Sequence, residues 1–443
     1  MRIVFCINYF LPYQVAGTEV YTFQLAKYFQ SKGYITVVVF PNRNGSVPSY
    51  YEVEGLPVYT YEETDVNDKA LMRGERPPAG LPNFSKLIQQ LQPDIVHFQE
   101  LEASTSIGLY HVKEVARLGY RSVFTLHLSH YTCFTGTLME SLERSCDGVI
   151  DESKCTHCSF RTKGLSPTFS RLLGTGARVL KSFRINTGSV SHSMATALSM
   201  PFLIEQKKVN LITLSKLVSK LVVITDWYKR VMVLNHVPEE SIKVIKQGLP
   251  HKIEVGIPEL EMPASPLRLV FIGRISQFKG VHLLLDALSG LPADKIILDI
   301  YGSSNDDDYT EACKKKTLSM KHVKWKGTLQ KEEVLRELRN YHALCLPSTF
   351  SEMSPLVIQE AFAAGIPVIA SNVYGNAEQV THGVNGLLFR FNDSASLREQ
   401  LLHCINNPEL VMRLKKAVPL PRSFDEVGAA YYALYKELLA LNA

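Results

Sequence analysis

The chain has no run of about 18 uninterrupted apolar residues, so no membrane-spanning helix is expected. Its start, MRIVFCINYFLPY, carries a short apolar run broken by Asn8 and no small-residue cleavage site, which argues against a secretory signal peptide. Cysteine is scarce, eight in 443 residues, and suits a reduced, cytosolic protein better than a disulfide framework. No short-period repeat or low-complexity tract appears, which excludes solenoids and arrays. Acidic residues are nearly missing from one long stretch. From Lys154 to Arg230 there are thirteen Lys and Arg against two acids, Glu205 and Asp226, although the net charge of the whole chain is only +5. Such a block points to an anionic surface or substrate, or else to a solvated helical face balanced from elsewhere. It also contains the apolar stretch MATALSMPFLI (194–204). Basic charge beside exposed apolar residues is what a peripheral protein needs to sit on an anionic membrane.

What is present is ample apolar material, 46% of the residues, enough for two or three domains with their own cores. The N-terminal part reads strand (RIVFCINYF), glycine-bearing loop (QVAGTEV), helix ending at Gly33, then strand (ITVVVF), which is a βαβ unit. Further strands are expected at 94–98, 121–127 and 221–226. After the Pro-rich linker GIPELEMPASP (256–266) the alternation restarts with PLRLVFIGRI. Strands alternating with helices in both halves predict two doubly wound α/β domains with a cleft between them.

Ligands of such sheets sit where strands run out into helices. Gly17 lies in the first such loop, where a helix N-terminus can meet a phosphate or the glycine can simply make a turn. In the second half, GRISQFKG places Gly273, Arg274 and Lys279 on one strand-to-loop turn. An arginine fork with a lysine point charge suits a diphosphate; surface ion pairing is the alternative. Then comes FSEMSPLVIQEAFAAG (350–365). Ser354 reads as an N-cap, Pro355 as the first helical residue and Gly365 as the stop. The helix between them is apolar nearly all round and is expected to be buried. Glu360 nevertheless sits inside it, with Leu356, Val357, Ala363 and Ala364 three and four positions away. A buried carboxylate without partners costs several kcal/mol, so Glu360 should meet donors from a neighbouring loop or the hydroxyls of a ligand.

Taken together these residues resemble the retaining glycosyltransferases of family 4, GT-B enzymes that transfer a sugar from a nucleotide diphosphate donor. The resemblance spans nearly the whole chain and is most specific at Glu352-x7-Glu360, followed by AFAAGIPVIAS, GNAEQV and GVNGLLF. It implies a GT-B fold, two Rossmann-like domains facing a central cleft: an acceptor-side domain over 1–255 with a cysteine-containing insertion at about 128–165, and a nucleotide-sugar domain over 266–422. A helix at 423–443 would pack back on the first domain. By the same resemblance Glu360 grips the ribose and Glu352 reaches the donor sugar, while the backbone of Met353, Ser354, Pro355 and Leu356 lines the sugar and diphosphate. Arg274 and Lys279 stabilise the leaving diphosphate, and Gly17, Gly273, Thr328 and Leu329 line the donor. His127 stands at the mouth of the cleft. The sequence departs from the family in the loop VAGTEV, in Gln247-Gly248, and in the single glycine of NVYGNAE.

The implied chemistry is transfer from a nucleotide diphosphate sugar, UDP favoured over GDP, to a hydroxyl of a saccharide or lipid-linked saccharide in polysaccharide or glycoconjugate synthesis. No catalytic cofactor and no nucleic acid are implied. Asp306, Asp307 and Asp308 are read as a solvated loop, not a metal motif. The implied location is cytoplasmic, peripheral at the inner membrane face if the basic block binds lipid. Rival readings are a soluble acceptor, a sugar-nucleotide epimerase on the same fold, and a non-catalytic nucleotide-sugar binder. Cys133, Cys146, Cys155 and Cys158 give C-x12-C-x8-C-x2-C, whose closing pair has zinc-site spacing. A structural zinc and free thiols are the two readings. Cys6, Cys313, Cys345 and Cys404 read as core.

Overall fold

The computed structural model describes residues 1–443 except 44, 46, 65–67, 103–104, 189, 191, 250–265, 305 and 441–443. The expected linker at 256–266 thus lies, but for its last residue, outside the described residues. The chain divides into two units. The first comprises Met1–Gly136, Asp147–Lys246 and Phe424–Ala443, and the second Thr137–Cys146 and Gln247–Ser423. The short segment Thr137–Cys146 therefore leaves the expected first domain and belongs to the second unit. The Ser351 N–H donates to its Thr137 carbonyl at 3.0 Å.

The first unit is built on an eight-stranded sheet. Its order is Ile242–Val244, Lys220–Val223, Arg121–Leu126, Ile95–Phe98, Arg2–Cys6, Ile35–Arg43, Leu56–Glu63 and Tyr50–Val53. Every pairing is parallel except that of the last strand, Tyr50–Val53. The second unit has six parallel strands in the order Val323–Gly327, Ile296–Tyr301, Leu267–Ile272, Ala343–Leu346, Val368–Ser371 and Gly386–Phe389. Strands such as VVVF, LVFI, ALCL and VIAS are apolar without alternation because helices cover both faces of a parallel sheet. In each unit the first strand lies inside the sheet, and the strand order reverses beside it. That reversal opens a crevice at the C-terminal edge, where ligands of doubly wound sheets bind.

The helix Phe424–Ala440 closes the first unit, burying Val427, Tyr431, Leu434, Tyr435 and Leu438 in its core. Its tyrosines are tied by hydrogen bonds. The Tyr431 hydroxyl meets those of Tyr21 at 3.1 Å and Thr125 at 2.8 Å, and the Tyr435 hydroxyl meets His97 Nδ1 at 2.6 Å. A buried tyrosine needs such partners, so the last helix fixes the position of Tyr21 in the first one. The three aspartates at 306–308 are not a loop. Asp306 caps the helix Asp307–Thr317, accepting from the Tyr309 N–H at 3.1 Å.

Candidate active site

In the second unit, the loops after strands Leu267–Ile272 and Ala343–Leu346 meet at the point of strand-order reversal. Lys279 closes the short 3-10 turn Gln277–Lys279, and Gly280 follows with φ of 70°. A Cβ on Gly280 would stand 1.9 Å from the Pro347 carbonyl oxygen, so only glycine lets these loops touch. Across this contact Lys279 Nζ lies 2.6 Å from Glu352 Oε1. Ser348, fully buried, donates its hydroxyl to the same oxygen at 2.7 Å. Its own carbonyl accepts from Ser371 Oγ at 2.7 Å, and Ser371 in turn holds Asn376 Nδ2. Glu352 is thus a 7% exposed carboxylate with a cation and a hydroxyl on one oxygen. Ser371 and Asn376 lie in the motif segments AFAAGIPVIAS and GNAEQV, which do not reveal this supporting role, and Ser348 lies outside them; among the described residues Asn376 Oδ1 is buried without a partner.

The family's glycine-rich turn has a physical counterpart. A Cβ on Gly375 would lie 2.1 Å from the Glu352 carbonyl oxygen, because the turn Tyr374–Ala377 presses against the Glu352–Met353 backbone. One glycine suffices at the point of contact. Arg274, exposed, leaves the turn after Leu267–Ile272, and Gly273 donates its N–H to the Tyr301 carbonyl at 3.1 Å. Thr328 is exposed and Leu329 half-buried just past the strand Val323–Gly327.

The helix of the E-x7-E segment runs Leu356–Ala363. It begins one residue later than expected, with Pro355 rather than Ser354 at the cap, and no side chain bonds its N-terminus. Its first N–H groups are therefore available to an anion. The helix is less deeply placed than its composition implies: Ile358, Ala361 and Phe362 are buried, while Leu356, Val357 and Glu360 are half-buried. No side chain among the described residues hydrogen-bonds the Glu360 carboxylate. Burial raises its pKa above the ordinary carboxylate value, and the charge of Lys331 pulls the other way. Glu360 is thus a half-buried carboxylate free to accept hydrogen bonds, not one enclosed in the core.

The first unit presents its own edge. Gly17 opens the helix Gly17–Ser31, and a Cβ there would meet nothing within 4 Å, so the space in front of it is open. His127 follows the strand Arg121–Leu126, is 7% exposed, and packs edge-on against Tyr21 at 4.8 Å. Its Nε2 donates to Gln99 Oε1 at 2.9 Å, leaving Nδ1 as acceptor. Burial holds it neutral, with a pKa near about 3. Around it lie polar groups that the sequence did not flag. Among the described residues Asn8 Nδ2, Gln99 Nε2 and Glu19 Oε2 are buried without a partner, although Gln14 donates to the other Glu19 oxygen at 2.8 Å. Burial and the nearby Glu19 and Glu102 push Glu100 up to about 7, against a hydrogen bond from Thr18. Unsatisfied polar atoms in a native interior mark a place where a ligand or water belongs.

Of the four clustered cysteines, Cys133 and Cys158 are buried and Cys146 and Cys155 half-buried. Among the described residues no group of three or more His, Cys, Asp or Glu side chains is placed to hold a metal ion. Cys6, Cys313, Cys345 and Cys404 are buried, as core cysteines should be.

Two family models match the chain, one to each half. Residues 15–177 match Glycosyltransferase Family 4, and residues 256–419 match Glycosyl transferases group 1. The chain carries both domains of a family 4 glycosyltransferase. Among the curated relatives of this glycosyltransferase is glycogen synthase of Mycobacterium tuberculosis, 30% identical over 158 residues, 34% of this chain and 37% of the relative. Another is D-inositol 3-phosphate glycosyltransferase of Corynebacterium efficiens, 27% identical over 211 residues, 45% of this chain and 50% of the relative. The chain thus matches half or less of the length of these relatives. Among solved structures, Anabaena Alr3699/HepE in complex with UDP and glucose superposes with a TM-score of 0.56 at 16% identity, covering 100% of this chain and 99% of that one. Sucrose-phosphate synthase of Thermosynechococcus elongatus gives 0.64 at 16% identity over 99% of both chains. At that identity the likeness establishes the fold, which is GT-B. Among the described residues no helix is long and apolar enough to cross a membrane.

Proposed function

We propose that this glycosyltransferase moves a hexose, with retention at the anomeric carbon, from a UDP-sugar to a hydroxyl of a saccharide or lipid-linked saccharide. The observation that carries the reading is the Lys279–Glu352–Ser348 constellation at the reversal point of the second sheet, beside Arg274 and an uncapped helix N-terminus. Cations and helix N–H groups at one crevice suit a diphosphate, whose negative charge grows as the glycosyl bond breaks through an oxocarbenium-like state. Glu360, half-buried and without a hydrogen-bonding side chain, is suited to the ribose hydroxyls. The anomeric carbon loses its bond to the phosphate oxygen and gains one to the acceptor oxygen on the same face, and the acceptor proton passes to the departing diphosphate. No metal ion enters this scheme, since Arg274, Lys279 and the helix terminus supply the positive field.

UDP is preferred because the HepE structures of the same fold hold UDP, UDP-glucose or UDP with glucose. The acceptor is assigned to the first unit. Its unpartnered amide nitrogens of Asn8 and Gln99, together with Glu19 and Glu100, offer donors and acceptors side by side, the pattern that vicinal hydroxyls satisfy. A lipid-linked saccharide is favoured over a soluble one by the basic block, which would hold the enzyme at an anionic leaflet. The test is release of UDP from UDP-sugars in the presence of saccharide acceptors. Acceptor-dependent release supports transfer, whereas UDP-sugar binding without release leaves a binding protein, and interconversion of the sugar without release means an epimerase.

A further inference from the structure

Within the first unit, a helix of 16 residues, Pro167–Ser182, carries a feature that the transferase reading does not use. One face, Ser170, Gly174 and Ala177, is buried against its neighbours, with Ser170 Oγ bonded to His157 Nδ1 at 2.9 Å. The opposite face is apolar and open. Phe169 is 50% exposed, Leu172 67%, Val179 50% and Phe183, at the C-cap, 72%. With Gly176 these positions follow each other by three, four, three and four residues, the spacing that aligns side chains along one side of a helix. Isolated exposed apolar residues are ordinary, but an aligned row of them is not.

The charge around this row has one sign. Residues 154–204 contain no Asp or Glu at all. Arg171 and Arg178 border the row and Arg184 follows it, and all three are exposed. Among the described residues Arg178 reaches the Gly174 carbonyl and Thr175 Oγ1, each at 3.4 Å, and no carboxylate. Lys181, on the buried side, is already paired with Glu152 and Glu205. The earlier expectation placed the exposed apolar surface at 194–204, but Met200 and Ile204 are buried there, at 1% and 2% exposure. That stretch is mostly half-buried, with Met194 exposed, and the more open aligned row lies on the preceding helix.

We propose that the face Phe169–Leu172–Val179–Phe183, with Arg171, Arg178 and Arg184, is a docking surface for an anionic lipid bilayer, lying in the headgroup plane. A second copy of the chain fits less well. Symmetric pairing would bring unpaired arginines against their own copies, and a helix about 24 Å long offers far less than the ~800 Å² per partner of a stable interface. A bilayer removes both objections: acyl chains take the aromatic and aliphatic side chains, and anionic headgroups neutralise the arginines. The surface rests on the proposed function only for what the membrane would carry. Its test needs no activity, so the two readings can fail separately.

The experiment is flotation of the full chain with vesicles of about 30% phosphatidylglycerol in phosphatidylcholine, at low and high salt, against pure phosphatidylcholine. Three proteins are compared: wild type, a Phe169→Ser/Leu172→Ser/Phe183→Ser variant, and an Arg171→Glu/Arg178→Glu variant. The replaced side chains are exposed, and circular dichroism with thermal melts verifies that folding is unchanged. Wild type should bind anionic vesicles at low salt and release at high salt. Each arginine near the surface contributes roughly fivefold to the partition coefficient, so the charge reversal should lower it by more than about twentyfold. Losing three apolar side chains should lower it by at least about tenfold. Wild type that stays unbound at low salt overturns the proposal. So do variants that bind like wild type, or a self-association seen by ultracentrifugation and abolished by the serine variant, which would make the face an interface between copies.

Discussion

Replacing Glu352 by glutamine should tighten UDP binding while lowering turnover. Glu352 Oε1 sits 2.6 Å from Lys279 Nζ, so part of the lysine charge offered to a diphosphate is already neutralised. A phosphate oxygen at hydrogen-bond distance on the far side of the ammonium would stand ~5.5 Å from that carboxylate oxygen. Two unit charges at this separation repel by about 3 kcal/mol at an effective dielectric of about 20, and the quarter-exposed lysine side chain allows water and salt to reduce this to about 1–2 kcal/mol. Glutamine keeps the size and a hydrogen bond for Ser348 Oγ but removes the repulsion. The dissociation constant for UDP should therefore fall by about five- to thirtyfold, measured by titration calorimetry at low salt, with the gap narrowing as salt is raised. Turnover should drop, because the carboxylate no longer faces the sugar as positive charge develops there. Unchanged or weaker UDP binding in Glu352→Gln would show that Lys279 does not face the diphosphate, and the charge argument would collapse.

Three further outcomes follow from the same structure. Activity should persist in EDTA, since side-chain cations replace a metal; loss in chelator with recovery on adding magnesium would reject that. Glu100, whose folded pKa of about 7 stands above its unfolded value, binds more protons folded than unfolded between about pH 4.5 and 7, so its contribution to stability is lost as pH rises through that window. Glu100→Gln should then raise the melting temperature at pH 8, by an equivalent of about 1–3 kcal/mol, and leave it unchanged at pH 4; equal melting of variant and wild type at both pH values would refute the assignment. Gly280→Ala, which drives a Cβ into the Pro347 carbonyl at positive φ, should cost about 3 kcal/mol or more of stability, whereas Gly17→Ala, facing open space, should leave the melt unchanged and impair only turnover. Equal melts for the two variants would contradict this reading of the loops.

The alternation of apolar strands and helices and the helix of the Glu352-x7-Glu360 segment were legible in the chain because each is a local pattern. The depth of the segment's helix was misjudged, since composition does not say which faces find neighbours: Glu360 is half-buried, not enclosed. Ser348, Ser371 and Asn376 support Glu352 through contacts up to 23 residues apart, and Gln99 pairs with His127, 28 residues on; local patterns do not show such contacts. Thr137–Cys146 joins the second unit through contacts across more than 200 residues. The exposed row on Pro167–Ser182 had the right spacing in the sequence, but similar apolarity at 194–204 buries Met200 and Ile204 while Met194 stays exposed. Apolar content alone cannot tell the two apart.

A crystal structure of the full chain with UDP bound tests the donor site most directly. The diphosphate should contact Arg274, Lys279 and the N–H groups at the start of Leu356–Ala363, with the ribose hydroxyls on Glu360. UDP bound elsewhere, or a ribose that leaves Glu360 untouched, would contradict the assignment of the second unit as the donor site.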